Sequence, residues 1–173
     1  MCSGMTAEQL RAEKHMNRQT VLDLLRRSGE DLKRYMSEVS PDRLHWHVDN
    51  EWSAHETLAH LCEIERHVFL LRMQRVVREQ QPLLKYFDEQ TWHREHYDAA
   101  APVASLLADF ADARAREIEL LEAQPDWSRW GLHKKLQKRY SLEFIAHYAF
   151  RHTWEHLNQI ANTQIGYELA QQG

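Results

Sequence analysis

The chain has 173 residues, 43% hydrophobic and 28% charged, with only 5 Gly and 4 Pro. This is about one domain's worth of sequence, able to bury a core without disulfide or metal staples and poor in the residues a turn-rich all-β fold needs. With 22 Lys and Arg against 26 Asp and Glu the net charge is −4, so no global positive field is available to hold a polyanion, and nucleic-acid binding is disfavoured.

The first residues, MCSGMTAEQLRAEKH, lack the apolar stretch of a secretory signal, and no run of about 18 apolar residues occurs to span a membrane. Cys2 and Cys62 make no disulfide framework, so a reducing cytoplasm is the expected location. No internal repeat or Gly/Ser linker divides residues 1–173, which read as one domain.

Four helical stretches are predicted. The first runs from about Thr6 to Val39. Thr6 and Gln9 have capping-box spacing, and Val21, Leu25, Leu32, Met36 and Val39 keep a period of three to four. Gly29 weakens its middle, and Ser40-Pro41-Asp42 ends it. The second starts at Ser53, an N-cap that Glu56 can answer, and carries Leu58, Leu61, Ile64 and Val68 before fading near Gln80. The third begins near Pro102, presents Val103, Leu107, Phe110, Ile118 and Leu121, and closes at Pro125. The fourth is capped by Ser141 and reaches about Gly166. The connection from Gln81 to Ala101 is long for a bundle, with a helical turn predicted within Trp92–Tyr97. An all-α four-helix bundle with a long crossover between helices 2 and 3 is the simplest architecture.

The fourth helix holds the most informative residues. His152 and His156 stand at i and i+4, roughly 40° apart around the helix, in an apolar line with Ile145, Ala149 and Ile160. Two imidazoles in core positions need partners for their ring nitrogens, and a divalent metal satisfies both acceptors at once. The alternative is two ordinary hydrogen-bonded core histidines. His60 offers a third ligand, two turns past the Ser53 cap on a face shared with Ile64, His67 and Leu71. Three histidines on two helices leave one position of a tetrahedral Zn²⁺ open, the pattern of a catalytic site.

Two segments resemble those of the DinB/YfiT-like family of metal-dependent enzymes. Trp52-Ser53-Ala54-His55-Glu56-Thr57-Leu58-Ala59-His60-Leu61 is similar to the W-S-x-x-E-x-x-x-H-L that opens that family's second helix. His152-Thr153-Trp154-Glu155-His156-Leu157-Asn158-Gln159-Ile160 is similar to the H-x-x-x-H-x-x-Q-I of its fourth. The resemblance implies a crossover bundle assembled as a homodimer and a Zn²⁺ or Ni²⁺ site formed by His60, His152 and His156. It further implies a thiol S-transferase, with a bacillithiol-like cosubstrate and a small electrophile, or a related transferase or hydrolase. A non-catalytic metal- or small-molecule-binding stress-response protein is the alternative from another class.

His152-Thr-Trp-Glu155-His156 also spells H-x-x-E-H, in which Glu155 would be the base of a metallohydrolase. Otherwise Glu155 is a surface carboxylate or orients a ligand histidine, and no catalytic base is assigned. Glu63 reads as an exposed partner of Arg66, and Glu56 as a cap alone. His67 either lines the pocket or packs. His15, His45, His47, His55, His93, His96 and His133 are expected in loops or on helix surfaces. Lys134, Lys135, Lys138 and Arg139 form either an anion-binding rim or a solvated loop. Tyr86, Phe87 and Trp92 either roof a substrate pocket or plug the end of the bundle.

Overall fold

The computed structural model describes residues 17–49 and 51–172. The proposed Thr6 capping box, Cys2 and His15 lie outside them. The first helix, α1 (Arg18–Glu38), starts at Asn17, whose side chain accepts from Gln19 N. A short turn, α2 (Pro41–Leu44), follows. Helix α3 (Ala54–Ile64) begins with the expected reciprocal cap: Ser53 Oγ accepts from Glu56 N at 3.2 Å and the Glu56 carboxylate from Ser53 N at 2.9 Å. The helix continues through a π-helical segment, Glu65–Leu70, into α4 (Leu71–Arg78).

The long connection carries β1 (Leu83–Leu84) and α5 (Glu89–His96), the latter capped by Asp88. Helix α6 (Val103–Ala123) leads into strands β2 (Trp130–His133) and β3 (Lys138–Ser141), and α7 (Leu142–Ala170) closes the fold from its Ser141 cap. Among the described residues no helix is long and apolar enough to cross a membrane.

Both α1 and the α3–α4 arm pack against α6 and α7. Cys62 Sγ donates to Leu106 O at 2.8 Å and Arg66 pairs with Asp109, so α3 and α6 run in the same direction. The Gln81–Ala101 connection therefore returns along the bundle. Helix α7 runs against α3, with His60 facing His156 and Phe69 facing Tyr148.

The sheet is an addition to the all-helical expectation. Strand β1 pairs parallel to β2 (Leu83↔Leu132), and β2 pairs antiparallel to β3 (Gly131↔Tyr140). The basic run 134–139 is not a simple loop: Lys134 and Lys135 lie in the hairpin turn and Lys138 and Arg139 in β3. Gly131 is required by the close approach of β1, because a Cβ there would stand 2.8 Å from Leu84 Cγ and 2.9 Å from Pro82 O.

Two apolar clusters fill the interior. One gathers Leu25, Phe69, Met73, Leu121 and Ile145, the other Leu32, Leu58, Leu61, Phe110 and Ile160. Each such side chain, fully buried, contributes roughly 1.5–3 kcal/mol. A polar layer separates the clusters, because Ser28, Glu65, Arg114, Glu117 and Thr153 interrupt the apolar faces of α1, the π segment, α6 and α7. The Arg114 guanidinium bonds the Glu65 carboxylate, Leu25 O, Ser28 Oγ and Thr153 Oγ1. Glu117 is fully buried 3.4 Å from Arg114, and burial, reinforced by the Glu65 charge, pushes its carboxyl well above the ordinary range. Two carboxyls thus share the single guanidinium, which favours the protonated form of Glu117.

Candidate metal centre

The polar layer ends in three histidines. His60 on α3 and His152 on α7 are buried, and His156, one turn beyond His152, is half-buried. Ring centroids stand 5.3 Å apart for His60–His152, 4.7 Å for His60–His156 and 4.5 Å for His152–His156. One nitrogen from each ring lies within 4.8 Å of the other two, so the predicted set does converge.

The hydrogen bonds fix which lone pairs are free. His156 Nδ1 donates to Gln159 Oε1 at 2.8 Å, which leaves its Nε2 as an acceptor facing His152 Nε2 at 3.2 Å. Two imidazole nitrogens bound to one ion at 2.0–2.1 Å in a tetrahedral arrangement stand about 3.3–3.4 Å apart. His60 Nε2 is buried with no hydrogen-bond partner, as is His152 Nδ1 on the other edge of its ring. A buried lone pair without a donor is costly, and a cation at the meeting point satisfies the His60 nitrogen directly. The donor set fits a borderline divalent ion.

Protonation favours the same use. Burial, then the neighbouring His156, depresses His60 to about 3. Burial, then His156 and His60, takes His152 down to about 2. Burial lowers His156 against an opposing contribution from Gln159. All three rings are neutral at pH 7, the form that binds metal. Gln159 in turn donates to Glu51 Oε2 at 3.4 Å, a relay that fixes the His156 tautomer and ring angle.

Several residues fall elsewhere than expected. The Glu155 carboxylate pairs with Arg151 at 3.2 Å on the solvent face, both side chains more than half exposed. It does not face the histidines, so the H-x-x-E-H reading has no base where it needs one. The π segment turns the second arm: His67 and Leu71, expected on the His60 face, are exposed, while Val68 and Phe69 are buried. His67 instead packs at a tilt against Trp92 and pairs with Glu63 at 3.3 Å, which takes Glu63 away from Arg66.

His55 is buried, donating from Nε2 to Ala101 O and accepting at Nδ1 from Tyr97 Oη, so it pins the crossover onto α3. His133 is buried too, its Nδ1 accepting from Leu136 N. Glu56 caps α3 as expected and also lies 3.4–3.5 Å from His47 and His93.

The structure adds Glu89, at the start of α5. Its Oε2 lies 3.9 Å from His60 Nε2, and burial raises its carboxyl above the usual range against the pull of Arg72. Glu89 lies between two cavities. One of about 210 Å³ reaches His152 and is lined by Arg72, Tyr86, Phe87, Lys135 and Tyr148. The other, about 180 Å³, reaches His60 beneath Trp92, His93 and Tyr97. Tyr86 and Phe87 therefore do roof a pocket beside the centre. Trp52 stacks on His93 and packs at a tilt against His60, covering the outer side.

The fold is thus a helical bundle with a three-histidine cluster, a candidate metal centre, between its second and fourth long helices. The profile of the DinB superfamily matches residues 24–160, and the chain belongs to that superfamily. Among solved structures it is similar to YfiT from Bacillus subtilis, described as a probable metal-dependent hydrolase with an unusual four-helix bundle topology. The match has a TM-score of 0.80 at 18% identity and covers 97% of this chain and 93% of that one. No curated protein sequence matches.

Proposed function

We propose that the chain is a divalent-metal-dependent enzyme that directs a small nucleophile, water or a low-molecular-weight thiol, at a small electrophile. The observation that carries this reading is the convergence of three neutral imidazoles on one point, one of them with a buried, unpartnered Nε2, beside a cavity. His60, His152 and His156 would hold the ion, Zn²⁺ or Ni²⁺. With three protein ligands such an ion keeps an open position, where it supplies Lewis acidity and lowers the pKa of a nucleophile.

The chain's own groups do the rest. Gln159 locks the His156 tautomer. Trp52 shields the outer face of His60. The Glu89 carboxylate, poised between the two cavities, takes up the proton that the nucleophile sheds. Its raised pKa brings it closer to the range in which a carboxylate works as a base near neutral pH. Water as nucleophile gives hydrolysis, the activity suggested for the Bacillus subtilis structure. A thiol in its place gives S-transfer, as the sequence resemblance implies.

The test is turnover of a chromogenic aryl ester and an aryl halide by the Zn²⁺- and Ni²⁺-loaded protein, with and without added thiol. Glu89→Gln is expected to lower kcat on the order of 100-fold. Glu155→Gln should leave it unchanged. Equal turnover by metal-free protein, or an unaffected Glu89→Gln variant, would refute the assignment.

A further inference from the structure

Resting on that reading, we infer that the cavity beside His152 is built for a substrate carrying an oxyanion, a carboxylate or phosphoryl group, at the end remote from the metal centre. The observation is Arg72. It is half-buried, burial lowers its pKa, and no carboxylate lies within 4.0 Å of it among the described residues. Of its five guanidinium N–H groups only one bonds to protein among the described residues, from Nη2 to Lys85 O at 3.1 Å. Two other guanidiniums among the described residues show the contrast: Arg114 is met by carboxylates and hydroxyls, and Arg129 by the carbonyls of Val76, Val77 and Glu79. A half-buried guanidinium with free donors on the lining of a cavity is matched by a ligand oxyanion, which it can grip with two parallel bonds.

Two further features point the same way. Lys135 lines the same cavity, held 3.8 Å above the Tyr86 ring rather than paired with an acid. His133, on the cavity wall, is held neutral first by burial and then by the positive charge of Arg72 and Lys135, so both cations act on this one space. The other walls include Ile64, Val68, Phe69 and Leu136 and the phenol rings of Tyr140 and Tyr148, a mixture of apolar carbon and hydroxyls.

Among the described residues the only acid on the lining is Glu89, at the metal end. The cavity is thus polarised, cationic toward the hairpin and anionic toward the histidines. An anion-tailed molecule enters tail to Arg72 and presents its reactive group to the centre. At about 210 Å³ the space is below the 300–1,000 Å³ usual for drug-sized ligands, so the occupant is small.

The experiment is calorimetric titration of metal-free and Zn²⁺-loaded protein with phenylacetate, phenyl phosphate and the uncharged phenylacetamide. The anions are expected to bind at least about 10-fold more tightly than the amide, as a charge-assisted bidentate pair predicts. Arg72→Met should reduce that preference to within about 2-fold while metal content and helical circular dichroism stay at wild-type values. Lys135→Met, on the exposed turn and harmless to folding, should reduce it in part. The tighter of the two anions identifies the head group. Amide binding equal to that of the anions, or an undiminished preference in Arg72→Met, would overturn the inference. The metal-free arm separates this outcome from the parent reading: anion preference without metal binding would leave the subsite standing and remove the centre.

Discussion

Removing one titrating ring from the centre should change how the metal-free protein responds to acid. The perturbation is His152→Leu, compared with wild type in the presence of a chelator. His152 is depressed from the ordinary 6.5 to about 2 by burial and its histidine neighbours. Between those values the unfolded chain binds a proton that the folded chain refuses. Stability contributed by the neutral ring is therefore fully present above about pH 6.5 and is lost as pH falls through that window, at about 1.4 kcal/mol per unit.

From pH 7 to pH 5 the loss amounts to about 2 kcal/mol for this one residue, a sizeable part of the roughly 5–15 kcal/mol typical of a domain. Glu117 and Glu89, whose carboxyls are raised, act in the opposite sense, so the informative quantity is the difference between the two proteins. Urea unfolding at pH 7, 6 and 5 measures it. Wild type should lose about 2 kcal/mol more than His152→Leu over that range. Equal losses would mean that His152 titrates normally in the folded state and is not a dry, neutral ring.

Two other substitutions test the frame around the centre. Arg114→Met removes the cation that compensates Glu65 in the polar layer, and urea unfolding at pH 7 should show a loss of about 3–5 kcal/mol. Ser53→Ala deletes the oxygen that caps α3 ahead of His60, and thermal unfolding should report a loss of about 1 kcal/mol with metal stoichiometry retained.

The helices and the clustering of the three histidines were legible because their signals are local. Ser53 with Glu56 and Ser141 before Phe144 announce helix starts within a few residues, and the structure forms both caps. The i, i+4 spacing of His152 and His156 already places both rings on one face, and only the position of His60 along its helix had to match.

What stayed hidden depends on partners distant in sequence. Strand β1 exists because Leu83 and Leu84 find an edge in β2, some fifty residues later, and Trp-Gly-Leu-His alone carries no strong strand signal. The π segment rotates Glu65 toward Arg114 and His67 toward solvent, an offset of the helical period that an ideal 3.6-residue repeat does not foresee. Glu89 reaches His60 only because the crossover folds back across α3, where His55 anchors it through Tyr97 and Ala101. Glu155 shows the converse error: a short motif carries spacing but not the outward direction of the residue beside a ligand.

Metal binding by the purified chain is the most direct measurement of all. Chelator-competition titration with Zn²⁺, checked by elemental analysis, should give about one ion per wild-type chain and an affinity at least about 100-fold weaker in His60→Ala and in His156→Ala. If the variant with His60, His152 and His156 all replaced by alanine held the ion as tightly as wild type, the three-histidine centre would not be where this protein binds metal.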